Sequence, residues 1–258
     1  MDDPLITITT NLYNYERFIG DCIKSVLNQT YDNFEFIIVD DCSEDNSYKI
    51  AKSFKDKRIK IIKVNKNRGI GHAKNLGISI SKGKYIVTLD ADDMLTKNSL
   101  EVRVKAILKN NVPFVYADAI WFKGMTLNDV YKLKSVKISN KKWPRRHNSN
   151  NIYNIHSQTV MASREVYKEY GLYDEDLRCK VDREMWLRLF GKKGEDDPKI
   201  KSFYLKEIVA YYRWHSKQVS KKRHKDTVFN KKNTKLCEKK YQIRKKCINE
   251  INTRFLKE

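Results

Sequence analysis

The 258-residue sequence contains little proline and glycine and no long apolar run. Four prolines and nine glycines are too few for a collagen-like chain or for one dominated by flexible linkers. No stretch approaches the ~20 consecutive apolar residues that a membrane-spanning helix needs. The first residues also lack the basic and apolar segments of a signal peptide. We therefore expect a cytoplasmic chain. Its 40% hydrophobic residues are enough to form a globular core.

Cysteine is also scarce, and its placement excludes two common structural roles. The five cysteines include no Cys-x-x-Cys pair and have no histidine at zinc-finger spacing. We therefore expect reduced, mostly buried thiols rather than a disulfide framework or a structural zinc site. The five are Cys22, Cys42, Cys179, Cys237 and Cys247.

Acidic residues are outnumbered by basic ones, 32 against 53, which gives a formal net charge of +21. Such an excess is the electrostatic footprint of a nucleic-acid-binding protein, and this class is the alternative to the function argued below. Residues 221–258 carry fourteen Lys and Arg against four Asp and Glu. Apolar residues recur there at helical spacing, so we expect a basic amphipathic helix. This tail is expected to pack on its own domain, on the partner subunit of a homodimer, or on anionic lipid as a peripheral membrane contact.

Short apolar runs alternate with amphipathic helical patterns over residues 1–125. Continuous apolar strands separated by helices are typical of a parallel sheet covered on both faces, so we predict an α/β fold. Helices are expected from Ser43 and over residues 71–81, and a strand over 114–117. Residues 126–220 begin with a polar, loop-rich stretch and then regain order, which suggests a second region before the tail.

Two acidic clusters follow predicted strands. The first cluster is Asp40 and Asp41, and the second is Asp90, Asp92 and Asp93. The carboxyl ends of parallel strands form one rim, where ligands of open α/β sheets bind. A divalent cation would relieve the repulsion between such carboxylates and would attract a phosphate. Aspartates at these junctions also commonly cap helices, and this alternative remains open.

Residues 69–74 superficially suggest a dinucleotide-binding loop, with Asp90 about twenty residues further on. The third glycine of that fingerprint is replaced by Lys74, and the segment does not follow the first strand. A phosphate-binding P-loop sequence is absent. Neither nucleotide-binding motif therefore accounts for the acidic clusters.

A set of short motifs occurs along the chain in the same order as in the family 2 glycosyltransferases of the GT-A fold, and the sequence resembles that family. The resemblance covers residues 4 to about 220, and the basic tail lies outside it. The motifs are Tyr13-Asn14, Gln29-Thr30, Asp40-Asp41-Cys42-Ser43, Asn67-Arg68-Gly69, Ala73-Lys74-Asn75, Asp90-Ala91-Asp92-Asp93, Gly171-Leu172-Tyr173-Asp174-Glu175, Asp182-Arg183-Glu184 and Trp214-His215.

The resemblance implies an inverting enzyme that moves a sugar from a nucleotide-sugar, usually a UDP-sugar, to a hydroxyl acceptor with Mn²⁺ or Mg²⁺. Matching positions give Asp182 as catalytic base, and Asp92, Asp90 and His215 around the metal as a DXD-type site. Tyr13 would stack on the base and Asp41 would accept its ring N–H. Asp40, Lys74 and Asp90 complete the nucleotide-binding set.

Three points stay open at this level. Glu184 competes with Asp182 as base because it lies within the same predicted turn. The family commonly has Pro-Thr where this chain has Asn11-Leu12, which leaves the identity of the nucleotide base open. The acceptor, whether glycan, lipid-linked or protein, is not encoded in a recognisable pattern, although Trp143, Tyr153, His156 and Trp214 are candidates for stacking on a sugar.

Overall fold

The computed structural model describes residues 3–122, 155–177, 179–190 and 200–215, with residues 218, 236 and 239. The strands are β1 (Ile6–Leu12), β2 (Phe34–Asp40), β3 (Ile59–Lys63), β4 (Tyr85–Asp90), β5 (Met94–Leu95), β6 (Phe114–Phe122), β7 (Met161–Ser163) and β8 (Ser202–Arg213). The helices are α1 (Ile19–Leu27), α2 (Ser47–Ser53), α3 (Ile70–Ser79), α4 (Ser99–Asn110), α5 (Arg164–Tyr170) and α6 (Val181–Phe190), with a 3-10 turn at Ser157–Thr159.

The eight strands form one sheet in the order β3-β2-β1-β4-β7-β6-β8-β5. β1 pairs in parallel with β2 and β4, β2 with β3, and β6 with β8. β7 runs antiparallel to both of its neighbours, and β5 runs antiparallel to β8. The predicted α/β class with a mostly parallel sheet is therefore confirmed. β7 and β8, which come from the second predicted region, extend this same sheet.

Helices cover both faces of the sheet, because the buried strands carry apolar side chains on both sides. One face packs against α1, α2 and α4 through residues such as Ile23 and Leu100. The other face packs against α3, α5 and α6, through residues such as Ala73 of α3 and Trp186 of α6. α3 lies very close to β1, since a Cβ at Gly77 would fall 1.9 Å from the hydroxyl oxygen of Thr9.

Some element boundaries differ from the prediction for a visible reason. α2 begins at Ser47 rather than Ser43, and amides of the residues before it bind side chains of a neighbouring loop. The N–H of Glu44 donates to the side-chain oxygen of Asn14 at 2.8 Å, and the N–H of Asn46 donates to Glu16 at 3.1 Å. β6 runs beyond the predicted residue 117 to Phe122, because it pairs with β8 along its length.

Two sequence expectations fall largely outside the described residues. They concern the polar stretch after β6 and the basic tail, of which only residues 236 and 239 are described. Among the residues that the structure describes, no helix combines the length and apolar composition needed to cross a membrane.

Candidate functional site

The two acidic clusters meet at one rim of the sheet, as their positions after β2 and β4 predict. In the parallel register, Leu12 of β1 lies beside Asp40 of β2, and Asn11 lies beside Asp90 of β4. β1 therefore stands between the clusters, and the loop that follows it carries Tyr13. This arrangement is the strand-end crevice in which α/β sheets hold ligands.

The first cluster is bound mainly by backbone amides. The carboxylate of Asp41 accepts hydrogen bonds from the N–H of Arg68 at 2.9 Å and of Gly69 at 2.7 Å, just before α3. Gly69 has a φ of 97°, a conformation that favours glycine. Asp40 is fully buried and accepts from the N–H of Ser43 at 3.3 Å. Asp41 therefore holds the two residues that lead into α3, and it does not cap the next helix along the chain.

The loop after β1 carries an exposed aromatic ring and contacts the residues around the first cluster. Tyr13 is 41% exposed, which leaves its ring accessible. Asn14 adopts a φ of 56° and its backbone N–H donates to the hydroxyl of Ser43 at 3.1 Å. The Tyr13-Asn14 motif therefore joins an accessible ring to an asparagine that holds two loops together.

Lys74 lies at the centre of the site, in the first half of α3, and is only 1% exposed. Its ammonium nitrogen is 2.9 Å from Oδ1 of Asp182 and 3.5 Å from Oδ1 of Asp90. Burial by itself would lower the pKa of Lys74, but the carboxylates of Asp182 and Asp90 outweigh burial and raise it. Lys74 is therefore a buried cation shared by two carboxylates, rather than a side chain extended toward solvent.

Asp182 and Asp90 consequently belong to one electrostatic unit. Burial raises the pKa of Asp90 to about 6, opposed by Lys74 and reinforced by Asp182 and Asp92. The side chain of Asp182, in the first turn of α6, remains 29% exposed while one of its oxygens is held by Lys74. Asp182 is therefore oriented by Lys74 and remains reachable from outside, as a general base requires.

Asp92 faces a histidine from the far end of the described chain. Nε2 of His215 lies 3.0 Å from Oδ2 of Asp92, and both side chains are largely buried. The His215 ring packs against Phe18 at a centroid distance of 4.4 Å and edge-on against Tyr15 at 6.0 Å. The structure thus brings together Asp92 and His215, which the sequence separates by 123 residues.

Asp93, the third member of the second cluster, is held by hydrogen bonds within the protein. It accepts hydrogen bonds from the backbone N–H of Arg213 and from the side-chain amide of Gln158, both at 2.8 Å. Burial, together with the charges of Asp92 and Asp90, raises the pKa of Asp93 well above its ordinary value. Asp93 therefore ties β8 and the 3-10 turn to the rim.

Glu184 is fully buried and is paired with Arg188. The guanidinium donates to both carboxylate oxygens of Glu184 at 2.9 to 3.0 Å, and it also donates to the carbonyl of Leu172 at 2.7 Å. A carboxylate with both oxygens in such a pair is not free to accept a proton from a bound acceptor. The structure therefore favours Asp182 over Glu184 as the candidate base.

The donor set of the second cluster fits a hard divalent cation. Mg²⁺ and similar ions in nucleotide sites use one or two carboxylates and complete their shell with phosphate oxygens and water. Within the described ranges, no group of three or more His, Cys, Asp and Glu side chains is arranged to hold a metal. Oδ1 of Asp90 is buried and accepts no close hydrogen bond among the described residues, with Lys74 at the limit of 3.5 Å. A carboxylate of this cluster would therefore hold an ion only together with oxygens of a bound diphosphate and water.

Several contributors to the site were not singled out from the sequence. Asn75 donates to the carbonyl of Tyr173 at 2.9 Å and so anchors the Gly171–Glu175 segment beneath α3. The N–H of Arg213 reaches Asp93, and Tyr15 packs on His215. Asn75 lies within a quoted motif and Tyr15 adjoins one, but only the fold shows what they contact.

An aromatic group lies at the carboxyl ends of β6 and β8, on the side of the rim near Asp182. Trp121 and Trp214 are stacked with centroids 5.4 Å apart, and His156 packs against Tyr212 at 4.8 Å. Burial lowers the pKa of His156 to about 4, opposed by the charge of Asp182. Two of the predicted stacking residues, His156 and Trp214, therefore meet here, whereas Trp143 and Tyr153 lie outside the described residues.

The fold and the rim define an α/β domain with a ligand-binding crevice at its strand ends, and the sequence comparison gives the family. The model named "Glycosyl transferase family 2" matches residues 7–171, which is more than half of the chain. The chain therefore belongs to glycosyl transferase family 2, as the motifs predicted.

Curated relatives share parts of the chain. The Escherichia coli protein "UDP-Glc:alpha-D-GlcNAc-diphosphoundecaprenol beta-1,3-glucosyltransferase WfgD" is 39% identical over 118 residues, which covers 46% of this chain and 47% of that protein. Glycosyltransferase GlyG of Streptococcus pneumoniae is 35% identical over 113 residues, with coverage of 43% and 38%. The chain thus spans about half the length, or less, of these relatives.

Solved structures share the fold. S. aureus TarS 1-349 in complex with UDP-GlcNAc superposes with a TM-score of 0.63 and 16% identity, covering 83% of this chain and 59% of that one. The mannosyltransferase PcManGT from Pyrobaculum calidifontis, solved with GDP-Man and Mn²⁺, gives a TM-score of 0.58 and 17% identity, with coverage of 81% and 56%. At these identities the likeness concerns the fold, and it confirms the GT-A type architecture.

Proposed function

We propose that this chain is a metal-dependent, inverting glycosyltransferase that moves a sugar from a UDP-sugar to a hydroxyl acceptor. The observation that carries the proposal is the shared ammonium of Lys74, which brings Asp182 next to Asp90. A buried lysine held between two carboxylates at a ligand-binding rim has little structural reason to exist, because hydrophobic packing there would be at least as stable. It has a functional reason if one carboxylate takes a proton and the other faces a diphosphate.

The donor is proposed to lie along the rim, with its base near β1 and β2 and its diphosphate near β4. Tyr13 offers an accessible ring for stacking on the base, and Asp41 lies beside the start of this loop, since its N–H donates to the carbonyl of Leu12 at 2.8 Å. The name of WfgD specifies UDP-Glc and TarS was solved with UDP-GlcNAc, which supports a UDP-sugar. PcManGT was solved with GDP-Man, so a GDP-sugar is the alternative that a binding experiment must separate.

The chemistry follows from the separation of charge in the site. The acceptor oxygen forms a bond to the anomeric carbon, the bond from that carbon to the diphosphate oxygen breaks, and the acceptor proton passes to the carboxylate of Asp182. Lys74 lies 2.9 Å from Oδ1 of Asp182 and thereby orients the carboxylate. A divalent cation held by Asp92, with Asp90 and His215 beside it, would supply Lewis-acid stabilisation of the departing diphosphate.

The acceptor is proposed to approach from the side of the aromatic group formed by Trp121, His156, Tyr212 and Trp214. Aromatic faces and the neutral ring of His156 suit the apolar face of a sugar. The relative WfgD is named for a diphosphoundecaprenol-linked acceptor, which supports synthesis of a glycan or glycoconjugate.

The decisive experiment compares Asp182→Asn with Glu184→Asp. Asp182→Asn is expected to bind the donor normally and to transfer about 10²- to 10⁴-fold more slowly, as measured by single-turnover transfer and by calorimetry with UDP. Glu184→Asp keeps a carboxylate in the Arg188 pocket and is expected to change transfer far less. Near-normal transfer by Asp182→Asn would remove the proposed base.

A second measurement addresses the donor. Ligands that bind only the native state raise the unfolding temperature by mass action. UDP, UDP-sugars and GDP-Man are compared with and without Mn²⁺, and a UDP-sugar with Mn²⁺ is expected to give the largest increase. A larger increase with GDP-Man would transfer the proposal to a GDP-sugar, and an equal increase without any metal would argue against the cation.

A further inference from the structure

Positive charge in the first half of the chain is concentrated in one segment. Residues 49–68, called the basic strip below, carry nine Lys and Arg and a single acid. Residues 3–48 carry nine acids and two bases, and residues 69–122 carry seven bases and five acids. The strip therefore stands apart from a general lysine-rich composition.

The fold makes this segment one continuous outer edge. It comprises most of α2, the following loop, the whole of β3 and the approach to α3, and β3 is the terminal strand of the sheet. All seven lysines of the strip and Arg68 are exposed. The single acid, Asp56, is paired with Arg58 at 2.9 Å, so it does not offset the exposed charges.

Protection of the sheet edge explains only part of the strip. Lysines on an edge strand prevent pairing with other chains, which accounts for Lys60 and Lys63. It does not account for Lys49, Lys52 or Lys55, which lie on α2 or just after it. Lys52 and Lys63 both lie over the ring of Tyr48, at 5.8 and 4.8 Å from its centroid, so helix and strand present their charges together.

We propose that the basic strip docks on a bilayer surface containing anionic lipid. Anionic headgroups attract clustered lysines without specific contacts. Seven of the nine cations are lysines, which act as point charges rather than bidentate forks and suit such a diffuse surface. Among the described residues, the large exposed apolar side chains are Tyr13, Leu108 and Leu172, all outside the strip, so the docking is electrostatic rather than by insertion.

A bilayer fits the strip better than a nucleic acid does. Single-stranded nucleic acids bind where accessible aromatic rings stack on bases, and the ring of Tyr48 is already covered by two ammonium groups. The strip also ends at the rim, since Lys63 pairs with Asp40 in the strand register and the amide of Arg68 binds Asp41. Docking would thus bring the candidate site close to the headgroups, independently of which sugar is transferred.

The test measures binding of the full chain to vesicles of phosphatidylglycerol and phosphatidylcholine, with phosphatidylcholine vesicles as reference. The variant Lys52→Glu/Lys60→Glu/Lys63→Glu is expected to lose at least about tenfold in the partition coefficient, and added salt is expected to weaken wild-type binding. The matched control is Lys82→Glu/Lys97→Glu/Lys109→Glu, which changes net charge equally at exposed positions outside the strip and is expected to bind almost like wild type.

Folding is checked by thermal unfolding, and Lys52→Gln/Lys60→Gln/Lys63→Gln provides a milder variant expected to lose less binding than the glutamate variant. The basic tail is present in the wild type and in every variant, so equal binding by all of them would assign the contact to the tail and overturn the proposal. Equal loss in strip and control variants would reduce the effect to net charge and overturn it as well. Displacement of anionic vesicles by an equal charge of oligonucleotide would instead favour a nucleic-acid surface.

Discussion

The two acidic clusters lie at ends of strands flanking the same strand, β1, yet their carboxylates have different partners. Asp41 in the first cluster is held by the backbone amides of Arg68 and Gly69. Asp90 and Asp92 in the second cluster face ionisable side chains, Lys74 and His215. Backbone amides are fixed by the fold, whereas side-chain partners can be exchanged for a ligand. Identical residue types at equivalent strand ends can therefore serve a structural role and a chemical one.

The largest effect should separate the clusters by activity. Asp92→Asn is expected to lower turnover about 10³-fold or more, because a proposed metal ligand is worth several kcal/mol in the transition state. The free energy of unfolding should change by only about 1 kcal/mol, since relief of repulsion with Asp90 and Asp93 offsets the lost contact with His215. Steady-state kinetics and urea unfolding measure the two quantities. Unchanged turnover would mean that the second cluster, like the first, has only a structural role.

Lys74→Met should reveal how strongly the second cluster depends on the ammonium group of Lys74. Removing one partner of a buried ion pair leaves uncompensated carboxylates, so the free energy of unfolding is expected to fall by about 3 kcal/mol. Added Mn²⁺ is expected to restore part of this loss. Urea unfolding with and without Mn²⁺ measures both, and Lys105→Met on the exposed face of α4 is the control. If Mn²⁺ has no effect on the variant, the proposed cation site is wrong.

Asp41→Ala should act on stability. Two hydrogen bonds from backbone amides to a buried carboxylate are lost, so we expect the free energy of unfolding to fall by about 2 kcal/mol. Asp32→Ala, whose side chain is 93% exposed, provides a control with little expected change. Loss of UDP binding by Asp41→Ala without loss of stability would make the first cluster a ligand site like the second and would end the contrast.

The smallest effect concerns pH. Burial raises the pKa of Asp90 to about 6, so as pH falls this carboxylate takes up a proton in the folded state before it does so in the unfolded state. Its contribution to stability should therefore increase as pH falls from 7 to 5, by about 1 kcal/mol. The difference in unfolding free energy between wild type and Asp90→Asn across this range isolates the effect. A difference of the opposite sign would mean that Lys74 outweighs burial at Asp90.

The prediction from sequence succeeded where the signal is local. Apolar runs and helical spacing reflect burial of nearby residues, so the strands, the parallel sheet and the position of the acidic clusters could be predicted. The start of α2 was predicted four residues too early. The contacts of Glu44 and Asn46 with Asn14 and Glu16 join two separate loops, so they leave no signal in the local pattern.

By itself, the sequence determined the fold class, the family and the two acidic strand ends, because periodicity and motif order are properties of neighbouring residues. Only the tertiary structure decided that Asp41 holds the residues just before α3, that Glu184 is closed off by Arg188, and that Lys74 contacts both Asp90 and Asp182, the latter 108 residues after Lys74. Those assignments depend on how α3 and α6 pack on the sheet, and ion pairs between distant residues leave no periodic trace in a sequence.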